Sequence, residues 1–192
     1  MSDYSSLPDD LPVPTDDGAA DHLPGAAMPD LELQATDGTQ VTLSRLGKGR
    51  TIIYIYPMTG KPGVELPEGW DLIPGARGCT LESCGFRNHF RELQEAGARR
   101  VYGLSSQSTE YQAEVVERLH LPFPMISDPD FELASTLGLP TFSAPGHDQL
   151  YSRMTLVIRD GAIERAFYPV FPPDEHASEV LDWLDRLSPS AR

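Results

Sequence analysis

The run RTIIYIYP, residues 50–57, limits the fold of this chain more than any other stretch. Six of its eight residues are β-branched or aromatic, with no polar residue alternating among them. Such a run suits a short strand buried on both faces, so the chain must supply a layer on each side of the sheet. Pro57 ends the strand, because proline has no N–H for the ladder. Upstream, LELQAT and VTLSRL flank a DGT turn and read as a hairpin. Downstream, Phe86, Phe90, Leu93 and Gly97 fall on one helical face, which predicts a helix from about Thr80 to Ala96 with Gly97 as its stop.

The alternation continues. RVYGLSS reads as a second buried strand, and Ser108 or Thr109 can cap a helix carrying Tyr111, Val115 and Leu119 on one face. FPMIS is strand-like, and DPDFELASTLG is a turn followed by a short helix. RMTLVIRDGAIERAFYP reads as two strands about an Asp160-Gly161 turn. From Pro173 the chain places Val180, Leu184 and Leu187 on one face of a final helix. The pattern is α/β, with a mixed central sheet flanked by helices and an N-terminal hairpin.

Composition bounds the function. The chain has 192 residues and is 40% hydrophobic, enough for one domain with a sizeable core. A formal net charge of −14 argues against nucleic acid or an anionic membrane surface as partner. The N-terminus lacks the basic start and apolar core of a signal peptide, and no eighteen apolar residues run together, so a soluble cytoplasmic protein is expected. Residues 1–27 hold six aspartates and no lysine or arginine. With almost nothing to bury, they are expected to form a disordered tail, either an interaction arm or merely solvated, before a domain spanning 28–189.

Cys79 and Cys84 are the only two cysteines. Lasting disulfides are rare where thiols are kept reduced, so the pair is either inert or redox-active. Cys79 sits where a strand hands over to a helix, behind Gly78 and two residues after Arg77. A helix N-terminus carries about half a positive charge and favours a thiolate, lowering the thiol below its usual pKa of about 8.5. In an intact helix, Cα atoms at i and i+5 lie roughly 8.7 Å apart, whereas a disulfide needs about 4.4–6.8 Å. The two can therefore bridge only if the first turn unwinds. Gly85 lowers the cost of that by up to about 1 kcal/mol relative to alanine.

The stretches PDLELQATDGTQVTLSRL, TIIYIYP, GCTLESCGFRNHFRELQEAGARRVYGLSSQS, LPFPMISDPDFELASTLGL and SRMTLVIRDGAI resemble the peroxiredoxins, most closely the two-cysteine Q type (bacterioferritin comigratory proteins). The resemblance covers about residues 28–187. It implies a thioredoxin-like fold and a peroxidase acting on hydrogen peroxide or organic hydroperoxides. It also implies Cys79 as the peroxidatic and Cys84 as the resolving cysteine, Pro57 at the start of the active-site loop, and Arg153 as the group that stabilises the thiolate. Thioredoxin or a similar dithiol is the implied reductant. No cofactor or metal is called for, and the protein is expected to be a monomer or dimer.

One departure stands out. The family loop Pro-x-x-x-Thr/Ser-x-x-Cys has six residues between proline and cysteine, and here twenty-one separate Pro57 from Cys79. Ala76 stands where the hydroxyl is due, leaving Thr59 or Thr80 to supply it. The inserted TGKPGVELPEGWDLIPGA is either a lid, with Trp70, Leu72 and Ile73 over the thiolate, or a surface loop that Trp70 anchors to the core. Lone histidines such as His89 read as surface or core-edge residues. Other uses of the fold are a redox sensor or repurposed thiol oxidoreductase, and a copper chaperone with Cys79, Cys84 and His147 as ligands.

Overall fold

The computed structural model describes residues 6–187. The first five residues of the acidic segment, and residues 188 and 189 at the end of the expected domain, lie outside the described residues. Nine strands are described: β1 Glu32–Ala35, β2 Gln40–Thr42, β3 Arg50–Ile55, β4 Ala98–Ser105, β5 Met125–Ser127, β6 Thr141–Ala144, β7 His147–Tyr151, β8 Met154–Arg159 and β9 Ala162–Phe167. Five α-helices accompany them: α1 Cys79–Asn88, α2 Phe90–Glu95, α3 Thr109–Leu119, α4 Glu132–Leu137 and α5 His176–Leu187. Seven strands form one mixed sheet in the order β2-β1-β5-β4-β3-β8-β9. β3, β4 and β5 run parallel, while β8 is antiparallel to β3.

β3 is central and buried on both faces, as its sequence demands. Ile53 and Ile55 face a core shared with Leu33, Ile126, Leu133 and Leu156. Ile52, Tyr54 and Tyr56 face the opposite core, with Cys79, Phe86, Leu93, Val115, Val180 and Leu184. Tyr54 stacks on Phe86 with ring centroids 4.4 Å apart and donates to Ser83 Oγ at 3.2 Å, which fixes α1 over the end of β3. Ser108 caps α3, accepting from the Tyr111 N–H. Asp160 and Gly161 both have positive φ at the β8–β9 turn.

Four features differ from the sequence reading. The single helix from 80 to 96 is two, broken at His89 (φ −97°, ψ 8°); α1 packs on α5 while α2 packs on β4 as well as α5. Leu187 is exposed, so the apolar face of α5 ends at Leu184. β6 and β7 form a separate two-stranded sheet that the strand patterns did not reveal. The segment before residue 28 does bury apolar surface: Ala20 and Leu23 lie in the core, Gly25 N–H donates to Ile163 O at 2.8 Å, and Met28 N–H to Gly161 O at 2.8 Å. Farther back, burial and the Asp17 carboxylate push the Tyr168 phenol up to about 12.

Leu23→Ala is expected to cost about 2–5 kcal/mol, as for a fully buried leucine, in a chemical denaturation series. Val13→Ala, at an exposed site, is expected to stay within about 0.5 kcal/mol. Equal, small effects would show that residues 20–28 add nothing to the core.

Candidate active site

Cys79 is the first residue of α1, and Gly78 before it adopts φ 105°, a conformation that a side chain strains. A Cβ at Gly78 would also stand 2.3 Å from Pro173 Cγ and 3.1 Å from Leu7 Cδ2. Glycine is thus required by backbone and by space. With no side-chain cap at Gly78, the first N–H groups of α1 are left for whatever approaches the sulfur.

Arg153, just before β8, carries the electrostatics. Although only 3% exposed, it uses all three nitrogens. Nη2 donates to Cys79 Sγ at 3.1 Å and to the carbonyls of Ala76 (3.1 Å) and Arg77 (3.0 Å); Nε donates to Gly75 O at 3.2 Å. Nη1 forms a short ion pair with Glu82 Oε2, both side chains being buried. Glu82 lies one turn along α1 from Cys79. Its Oε1 has no hydrogen-bond partner among the described residues, and burial pushes its carboxyl up against the pull of Arg153.

The sulfur feels opposing forces. Cys79 is 4% exposed, and burial pushes its thiol up. Arg153 and the N–H of Met58, the residue after Pro57, pull it down, while the Glu82 charge pushes it up again. The net direction is upward, where the helix position alone led the sequence reading to a lowered value. The physical reason is dryness: the insertion and the N-terminal segment shield the sulfur from water, which penalises the thiolate more than Arg153 favours it.

The polar groups of Thr59 bond away from the sulfur. Its hydroxyl and N–H go to Gln107 Oε1, at 3.1 and 2.9 Å, and its carbonyl accepts from Tyr111 Oη at 2.8 Å. Thr80 instead lines the cavity next to Cys79, together with Met58, Leu66 and Trp70. Pro57 is buried two residues past the end of β3 and starts the inserted loop. Trp70 is both wall and anchor, 3% exposed and set against Phe142 at 6.2 Å, whereas Leu72 is 79% exposed and covers nothing.

Cys84 is half-buried on α1 and unbonded to Cys79. The following Gly85 packs closely on segment 174–177: a Cβ there would touch Ala177 Cβ and Asp174 O, each at 3.4 Å. His176, fully buried, links that segment to the sheet through Thr155 Oγ1 at 2.8 Å. Sequence reasoning missed Glu82 and His176 as parts of the site's frame. The spacing of Glu82, three after Cys79 and four before Phe86, was the available signal. His89 is a surface bridge between Glu92 and Ser178. No group of three or more metal-binding side chains occurs among the described residues, nor does any described helix have the length and apolarity to cross a membrane.

A thiol at an uncapped helix start, touched by a buried arginine in a mixed-sheet α/β fold, defines a thioredoxin-like thiol oxidoreductase. Residues 23–182 match the Redoxin family, and the chain belongs to that family as a peroxiredoxin of the Q (Bcp) type. Peroxiredoxin Bcp of Escherichia coli K12 is 30% identical over 163 residues, covering 83% of this chain and 94% of that protein. Among solved structures, peroxidoxin BcpB of Mycobacterium tuberculosis superposes with a TM-score of 0.69 at 27% identity, over 88% of this chain and 100% of that one. The bacterioferritin comigratory protein of Xanthomonas campestris, solved in connection with its alkyl peroxide reduction, gives 0.66 at 25%, over 84% and 99%. The chain is accordingly a thiol-dependent peroxidase.

The Cys79 environment sets a pH dependence. In a Cys84→Ser background, alkylation of Cys79 is expected to accelerate with pH and to reach half its plateau above the ordinary thiol value of about 8.5. Arg153→Met removes a group that favours the thiolate and moves that midpoint up; Glu82→Gln removes one that opposes it and moves it down. A wild-type midpoint at or below 8.5 would contradict the dominance of burial.

Proposed function

We propose that Cys79 is the peroxidatic cysteine and Cys84 the resolving one, and that a thioredoxin-like dithiol of the cytoplasm recycles them. The observation that carries this reading is the 3.1 Å contact between Arg153 Nη2 and Cys79 Sγ at an uncapped helix start. A positive group and free N–H donors at that point favour charge as it develops on sulfur and on the leaving oxygen.

The electron count follows. The Cys79 thiolate attacks one peroxide oxygen, an S–O bond forms and the O–O bond breaks. The proton given up by the thiol ends on the leaving oxygen, which departs as water from hydrogen peroxide or as an alcohol from an organic hydroperoxide. Cys79 is left as sulfenic acid. Cys84 then attacks that sulfur, an S–S bond forms and water leaves. The external dithiol reduces the bridge by exchange and becomes a disulfide itself. Thr80, which lines the cavity next to Cys79, is the residue proposed to supply the hydroxyl that Ala76 does not provide.

Resolution demands rearrangement. Cys79 and Cys84 are too far apart for a bond while α1 is intact, so the first turn unwinds, leaving Pro173 and Leu7 behind. Gly85 packs against segment 174–177, and that contact loosens as Cys84 moves.

Substoichiometric peroxide followed by mass spectrometry is expected to give a Cys79–Cys84 bridge in the wild type and a sulfenic acid on Cys79 in Cys84→Ser. Cys79→Ser abolishes turnover, and Arg153→Lys lowers it by about 10²–10³, the scale for losing one preorganised donor. Slow, stoichiometric oxidation without turnover by thioredoxin and its reductase would instead favour a redox sensor.

A further inference from the structure

The inserted loop is fastened at three places. At its start, Thr59 is bonded to Gln107 and Tyr111, Gly60 O accepts from Arg118 Nη2 at 3.2 Å, and Lys61 lies 4.4 Å from the centre of the Tyr111 ring. At its end, the carbonyls of Gly75, Ala76 and Arg77 all accept from Arg153. In the middle, Trp70 packs with Ala76 and Leu150 and against Phe142 of the β6–β7 hairpin. A loop held this way is a fixed wall.

What the wall leaves beside Cys79 is small. Its lining includes Met58, Leu66 and Trp70, the Gly78–Leu81 start of α1, and Ser6 of the N-terminal segment. The cavity measures about 20 Å³; on the same scale a single water needs about 10–15 Å³. Two linked oxygen atoms fit such a space, whereas a carbon bearing three substituents on the outer oxygen would have to lie along its open side, crowded against Leu66 and Trp70.

We propose that this wall makes the site selective for hydrogen peroxide over bulky organic hydroperoxides, with Trp70 as the specificity-determining residue. The inference rests on the reading that Cys79 meets peroxide in this cavity. Trp70 excludes by volume: its indole is locked on the hairpin and cannot swing aside without breaking the packing around Leu150 and Phe142.

The test measures the rate at which Cys79 of the reduced full-length protein is oxidised by hydrogen peroxide and by cumene hydroperoxide, in wild type, Trp70→Ala, Trp70→Phe and Leu66→Ala. Wild type is expected to react at least tenfold faster with hydrogen peroxide. Trp70→Ala narrows that ratio at least tenfold by raising the cumene hydroperoxide rate, Leu66→Ala narrows it less, and Trp70→Phe retains most of it. Thermal unfolding confirms that each variant is folded; if Trp70→Ala is not, Leu66→Ala alone carries the decision. A wild-type ratio near one, or a ratio unmoved in the folded variants, overturns the selectivity while leaving the peroxidase reading intact. Failure of wild-type Cys79 to react with either peroxide overturns that reading itself, and the selectivity with it.

Discussion

The rest of the site depends on one buried guanidinium. Removing the Arg153 charge from water costs several kcal/mol unless it is paired and its donors are satisfied. Three loop carbonyls, one carboxylate and one sulfur meet that demand. The Glu82 pair matters most in the resting state, because it neutralises Arg153 without requiring an ionised Cys79. The reduced protein therefore has no unpaired buried cation while the thiol is protonated. The same pairing draws on the positive charge that a thiolate would use, which is why Glu82 opposes ionisation of Cys79 while holding its partner in position. Stability of the reduced fold and readiness of the nucleophile pull in opposite directions here.

Dryness has the same double effect. Burial raises the thiol, yet it also strengthens each remaining electrostatic contact, because low dielectric magnifies the pull of Arg153 and of the Met58 N–H. Under the proposed resolution, α1 could not both keep its first turn and let Cys84 reach Cys79. Pro173 and Leu7 against Gly78, and Ala177 against Gly85, are the contacts of the described form that such a bridge would disturb.

Much of this was readable from residue patterns. β3, β4, β8 and β9 follow from β-branched runs and the Asp-Gly turn, and the place of Cys79 at a strand-to-helix junction follows from Pro57 and Gly78. The nearness of Arg153 to Cys79 did not follow from any local pattern, because it is a contact across 74 positions that only a family resemblance could suggest. Glu82 was hidden by its chemistry, as a charged residue on a helix reads as solvent-facing unless its spacing from Cys79 and Phe86 is weighed. Leu23 was hidden by its acidic neighbours. The β6–β7 hairpin, whose strands contain Ser143, Asp148 and Gln149 among few apolar residues, was marked only by the Pro145-Gly146 turn dipeptide. Thr59 was singled out for its sequence proximity to Pro57, which does not reveal where its hydroxyl bonds. Its partners, Gln107 and Tyr111, are about fifty residues away.

The small apolar cluster of Trp70, Ala76 and Leu150 stands apart from the two cores on either side of the main sheet. An insertion with its own foundation is modular. Its lining at Leu66 and Trp70 can change without asking the two cores of the main sheet to repack, so long as the carbonyls of residues 75–77 keep their hold on Arg153.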